Sequence, residues 1–328
     1  MTEPGPRADG GVAPVARKAA ELRRLELLVT RRLDGLLRGE FLGVQPGPGT
    51  DFAGSRDYEA GDDARRIDWN LTARSLAPQI RTTDADRELQ TWVIVDRSAS
   101  MNFGTTVREK ADVAFAAVAA FGFLTARHGN QFGVMVAGGD RVTRLGPSST
   151  RTSLMATLSR LYDVPRREDR PGPDADLIGA LGTLERARPR RGQVIVISDF
   201  LDGGDWHRSL GRLALQHQVL AVQVVDRREL ELPAVGMLTL VDAETGREIT
   251  VQSGSSALRE RYARAARERD DAIGRKIREA GCPRLVLATD SDWLLDIVRF
   301  VVGSRTLRRA ATTARDQRVR APQLRSAP

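Results

Sequence analysis

The chain has 328 residues, 41% of them hydrophobic, with one cysteine, Cys282. That is enough apolar content for one large domain plus an extra segment, and it excludes an intrachain disulfide framework. The net charge is +8, but seven Arg and one Asp between Gly303 and Pro328 supply +6 of it. The remaining chain carries only +2, so the basic balance belongs mostly to the tail and says little about a nucleic-acid-binding face on the body.

Residues 1–15 are rich in Gly and Pro, have no apolar core of the kind a secretory signal needs, and read as disordered. Ala16–Arg38 reads as an amphipathic helix: Leu22, Leu25, Val29, Leu33 and Leu36 recur every three or four residues, opposite Arg17, Lys18, Arg23, Arg24, Arg31 and Arg32. The Leu stripe is expected to pack on the body. With the stretch that follows, it forms an N-terminal region over residues 16–89. Between Gly39 and Ala85 acids, arginines and aromatics alternate with neither a helix nor a strand period. Asp62, Asp63, Arg65, Arg66, Asp68, Trp69 and Arg74 crowd the densest part. Bidentate arginine–carboxylate pairs can pin such a segment, so these residues are expected to form a structural network or a partner-binding surface. A catalytic site would need a base, and no histidine precedes His128.

From residue 90 to 302 strands alternate with helices, which implies a doubly wound, mostly parallel α/β sheet. The run Trp92-Val-Ile-Val95 suits a strand buried on both faces. It leads into Asp96-Arg97-Ser98-Ala99-Ser100, at the strand end where open α/β sheets bind ligands. One carboxylate and two hydroxyls suit a hard cation such as Mg²⁺; Ser98 or Ser100 can equally cap the next helix. Helices are expected at 109–128, 152–162, 176–187, 257–280 and 292–302. Strands are expected at 131–136, 141–145, 193–197, 218–225 and 284–288, the second of these antiparallel at an edge. A hairpin is expected from 237–241 and 248–251. The tail from Gly303 has no apolar period and reads as a basic disordered segment.

Gly61-Asp-Asp-Ala-Arg65-Arg-Ile-Asp68-Trp69, followed by Thr72-Ala-Arg74, resembles the signature of domain-of-unknown-function family fifty-eight, which joins this segment to a von Willebrand factor A-like domain. Ser98-Ala-Ser100-Met101 with Gly104, Ser198-Asp199-Phe-Leu-Asp202, Leu232-Pro233 and Asp242-Ala-Glu244-Thr-Gly246 extend the resemblance from about Leu22 to Val302. In von Willebrand A domains three loops build a metal-ion-dependent adhesion site. The resemblance implies Asp96, Ser98 and Ser100 for the first loop and Asp199 for the third. The second loop usually offers a Thr, but here Ala175 stands in Asp174-Ala175-Asp176-Leu177. Asp174 or Asp176 could contribute through a water, and Asp176 could equally cap its helix. A weak Mg²⁺ or Mn²⁺ site is expected, its two carboxylates meeting with no Arg or Lys between them and Arg97 pointing away.

Other chemistry finds little support. His128, His207 and His217 form no zinc spacing with Cys282, no Gly-rich phosphate loop lies between a strand and a helix, and Ser98 and Ser100 have no neighbouring base. The expectation is a cytoplasmic, non-enzymatic protein-interaction module with no transmembrane segment and no specific nucleic acid. The family resemblance implies a protein partner, a MoxR-type AAA+ ATPase, in a chaperone-like system. The alternatives are a nucleic-acid-binding protein using its Arg-rich tail, although that tail lacks stacking aromatics, and a metal-dependent hydrolase.

Overall fold

The computed structural model describes residues 12–41, 52–59, 64, 67–75, 77–83, 89–105, 108–127, 129–138, 142–165, 176–241 and 247–303. The chain divides into two compact units, residues 35–88 and the remainder. Helix α1, Val12–Phe41, begins in the larger unit, to which it belongs as far as Asp34.

The smaller unit contains strand β1 (Phe52–Asp57), the one-turn helix α2 (Trp69–Thr72) and strand β2 (Gln79–Thr83), with β1 and β2 antiparallel. No strand was expected here, because the segment lacks an alternating apolar pattern; backbone and polar bonds set the pairing instead. The Tyr58 N–H donates to Pro78 O at 2.8 Å. The Gln79 N–H donates to Thr72 Oγ1 at 2.9 Å, and its Nε2 to Asp57 Oδ1 at 2.5 Å.

The larger unit runs β3 (Gln90–Asp96), α3 (Lys110–Ala126), β4 (Gln131–Ala137), β5 (Thr143–Ser148), α4 (Arg151–Tyr162), α5 (Leu177–Ala187), β6 (Gly192–Ser198), α6 (Trp206–Ala214), β7 (Gln218–Val225), β8 (Met237–Val241), β9 (Glu248–Gln252), α7 (Ser256–Glu279) and β10 (Arg284–Ala288). A last helix, α8, covers residues 293–303. Six strands form one sheet in the order β10-β7-β6-β3-β4-β5. Neighbours are parallel except β4 and β5, the antiparallel edge that the short turn after β4 implied. β8 and β9 form the separate antiparallel hairpin expected for them.

All seven residues of β3 are buried. α3 and α4 cover one face of the sheet, and α5, α6 and α7 the other, which is why the strands read as continuous Val/Ile runs. Successive side chains of a strand point to opposite faces. Trp92 and Ile94 of β3 and Val194 and Val196 of β6 thus join Leu177, Leu181 and Trp206 in one core. Trp92 lies beside Gly133, its register partner on β4; a Cβ at Gly133 would stand 2.7 Å from the indole ring. Leu22 and Val29 of α1 are buried, as the Leu stripe implied. Arg151 of α4 holds Glu26 at 2.6 and 2.7 Å, and Tyr162 donates to Glu21 at 2.9 Å.

The strand order positions the site. The chain winds outward from β3 through β4 to β5, then returns to β6 and winds the other way through β7 to β10. The winding reverses between β3 and β6, and ligand crevices of such sheets open at the carboxyl ends of the two strands flanking that reversal.

Candidate functional site at the reversal point of the sheet

Asp96 ends β3, and Asp199 follows β6 by one residue. The topology therefore brings together the four residues singled out in the sequence. The Ser98 N–H donates to Asp96 Oδ1 at 2.7 Å. The hydroxyls of Ser98 and Ser100 lie 2.9 Å apart, and Ser100 Oγ donates to Asp199 Oδ2 at 2.7 Å. Neither serine caps α3. Glu109 does, in a reciprocal capping box in which its own N–H donates to Asp112 at 3.0 Å.

The expectation of carboxylates without an Arg or Lys overlooked a lysine that pairs with one of them, Asp199. Lys110, the first residue of α3, is fully buried, and its Nζ lies 2.7 Å from Asp199 Oδ2 and 2.5 Å from Glu229 Oε1. The local fold that places it is specific. The Lys110 N–H donates back to Phe103 O at 2.9 Å. Gly104 sits so close to the backbone of Arg108 and Glu109 that a Cβ there would fall 2.5 Å from both. Only glycine lets the loop fold that tightly. Arg97 points away, as expected: its Nη2 donates to Leu161 O at 3.0 Å.

Three further groups were missed in the sequence. Ser198 Oγ, fully buried, donates to Asp96 Oδ2 at 2.6 Å and accepts from the Phe200 N–H at 2.9 Å. Phe200 adopts a left-handed conformation, φ 58°. Such a backbone is costly for a bulky residue, and here it is held by the Phe200 ring against Trp206, 4.9 Å between centroids. Asp226, after β7, accepts from Thr105 N–H and Oγ1 at 3.2 and 2.7 Å and from Thr289 Oγ1 at 2.6 Å. Glu229 accepts from the Asp226 N–H at 3.3 Å as well as from Lys110. The signal for Lys110 was a lone lysine opening the Ala/Val/Phe-rich run of α3. Asp226 and Glu229 carried no signal, because nothing local shows that they face the first loop.

Burial, with the neighbouring charge of Asp199, pushes the Asp96 carboxyl up to about 7, against hydrogen bonds from Ser198 and Ser98. Burial works against the Lys110 ammonium, but Asp199 and Glu229 outweigh it and the group is held more firmly charged than usual. Burial also raises Glu229, a rise that Lys110 only partly offsets. At Asp226 burial acts upward, but the bonds from Thr289, Thr105 and Arg228 prevail and hold it below the usual carboxylate range.

The other expected residues fall elsewhere. Asp176 is exposed and caps α5, accepting from the Gly179 N–H at 2.5 Å, the second of the two roles open to it in the sequence. Asp174 and Ala175 lie outside the described residues, as do Asp62, Asp63, Arg65, Arg66, His128 and the tail from residue 304. In the smaller unit Asp68 caps α2, accepting from Asn70 and Leu71 N–H at 3.1 and 3.2 Å. Trp69 is 70% exposed, and Arg74 is exposed.

These residues fit a divalent ion poorly. A hard cation needs free oxygens and room for water. Asp199 Oδ2 already takes Ser100 and Lys110, its Oδ1 takes the Leu201 N–H at 3.1 Å, and both oxygens of Asp96 accept bonds.

A doubly wound sheet in this order, with Asp-x-Ser-x-Ser at its reversal point, defines a protein of the von Willebrand A type. The chain belongs to the family described as "Protein of unknown function DUF58", whose model matches residues 54–272. It is 46% identical over 289 residues to the uncharacterized proteins Rv1480 of Mycobacterium tuberculosis and Mb1516 of Mycobacterium bovis, covering 88% of this chain and 90% of each relative. Among solved structures it is similar to the conserved hypothetical protein BatB of Bacteroides thetaiotaomicron, at 17% identity and TM-score 0.38 over 59% of this chain and 98% of that one. It is also similar to the SpRpn10 VWA domain, at 15% identity and TM-score 0.34 over 64% and 93%. Strand order, not these overlaps, carries the fold assignment. Among the described residues no helix is long and apolar enough to cross a membrane.

Proposed function

We propose that the chain is a non-catalytic protein-interaction module, an accessory or adaptor for a MoxR-type AAA+ ATPase in a cytoplasmic chaperone-like system. The choice of partner rests on family membership. The interaction reading rests on Trp69, a large aromatic held 70% exposed on a turn that Asp68 caps, within the family's signature segment. Tryptophan is among the side chains enriched where a few residues carry most of the binding energy.

The site at the sheet end supports a non-catalytic reading. A serine nucleophile needs a base to take its proton. Ser100 instead donates to a carboxylate already paired with Lys110, and a lysine held charged cannot accept a proton. Ser198 bonds to Asp96 but is fully buried and out of a substrate's reach.

The test is binding of the purified chain to the purified MoxR-type ATPase of the same genome, measured by interferometry in Mg-ATP. Saturable binding is expected, weakened about tenfold or more by Trp69→Ala with the circular dichroism unchanged. Absence of binding, or binding indifferent to Trp69→Ala, refutes the reading.

A further inference from the structure

We propose that Lys110 is the resident cation of this site: its ammonium supplies the positive charge that a divalent ion supplies in an adhesion-type site, and it closes the site to metals. Three observations carry this. The ammonium is fully buried and lies 2.7 Å from Asp199 Oδ2, the oxygen that also takes Ser100. It reaches 2.5 Å from Glu229 Oε1, so a single lysine joins the loop after β6 to the loop after β7. The loop before α3 is folded to deliver it, with Gly104 against the backbone of Arg108 and Glu109 and the Lys110 N–H on Phe103 O.

A buried lysine with no partner is strongly unfavourable, so a fully buried lysine has to answer a charge. The charge here is that of Asp199 and Glu229, one of them an expected metal ligand. A divalent cation entering beside Asp199 would lose that oxygen to the ammonium and meet its positive charge at close range in a water-poor setting, where charges interact strongly. Asp96 keeps its own partners, the Ser98 N–H and Ser198 Oγ, and stands apart from the lysine's two bonds. Two consequences follow. Metal-mediated capture of a partner's carboxylate is not available at this site, so anything bound there is bound without divalent ions. Removing the lysine's charge should convert the site into a metal site. Both hold whether or not the ATPase is the partner.

The experiment is calorimetric titration of the full chain with Mn²⁺ and Mg²⁺ alone, in wild type, Lys110→Gln and Lys110→Ala. Wild type is expected to be silent at millimolar metal. Either variant should bind Mn²⁺ at least about tenfold more tightly than wild type, and adding Asp199→Asn should remove that gain. Should the variants fail to fold, thermal unfolding of wild type decides, because a metal that binds the native state raises its midpoint. The proposal predicts the same midpoint in EDTA and in millimolar Mn²⁺. Stoichiometric metal binding by wild type that Asp96→Asn abolishes, a metal-dependent wild-type midpoint, or folded Lys110 variants as silent as wild type each overturn it.

Discussion

Asp96 and Asp199 are the same side chain at the ends of adjacent strands, yet they meet opposite fates. Asp199 has Lys110; Asp96 has only hydrogen bonds, and burial pushes it up to about 7. Its folded value thus lies above the unfolded one, so the native state holds this proton more tightly than the unfolded chain does. The stability Asp96 contributes is fully present below about pH 4 and is lost as pH rises through about 7. Asp96→Asn removes the titration and keeps the shape, since the Ser198 hydroxyl can turn to accept from the new amide. In urea, wild type should lose stability relative to Asp96→Asn between pH 5.5 and 8. An equal difference at both pH values refutes this account. The aspartates themselves were legible in the sequence, because a buried apolar strand followed by Asp-x-Ser-x-Ser marks a strand end. The balance of charge around them was not: Lys110, Glu229 and Asp199 are far apart in the chain and meet only through the winding of the sheet.

At the scale of elements, patterning was a good guide where burial is one- or two-sided and a poor one where it is not. β3, β6 and β7 show as Val/Ile runs, and β7 and β10 fall on the expected residues. β1 and β2 were missed because Phe-Ala-Gly-Ser-Arg-Asp has no alternation; polar and backbone bonds set that pairing. Gly133 is a similar case. A glycine inside a strand marks a close approach, but only the register shows what approaches: the Trp92 indole, itself under the Arg144 guanidinium at 4.7 Å. Gly133→Ala puts a methyl into that ring within a buried layer, and overpacking of this kind costs about 1–3 kcal/mol. A melting temperature equal to wild type would mean that the sheet can widen at β4. Gly129→Ala offers a contrast: its Cβ would meet nothing within 4 Å, and its cost should come from its positive φ, 69°, alone.

For the molecule as a whole, the loops beyond the sheet's carboxyl ends behave as one piece because buried acids tie them together. Asp226, after β7, bonds Thr105 from the loop after β3 and Thr289 from the end of β10. It therefore staples strands that β6 and β7 separate in the sheet. Its carboxyl is fully buried, and these bonds hold it ionised. Asp226→Ala leaves the Thr105 and Arg228 N–H groups and two hydroxyls without their acceptor, and unsatisfied buried groups cost about 1–3 kcal/mol each before relaxation. The expected loss is about 2–4 kcal/mol in urea denaturation. Because Asp226 sits below the usual carboxylate range, its contribution persists above the unfolded value near pH 4 and disappears as pH falls below it. Arg32→Ala breaks the pair with Asp292, at 2.7 Å about as short as these bonds but largely exposed, and should cost only about 0–1 kcal/mol. If the two substitutions prove equally mild, the strand-end loops are held by backbone packing alone, and Asp226 is a passenger in the site it joins.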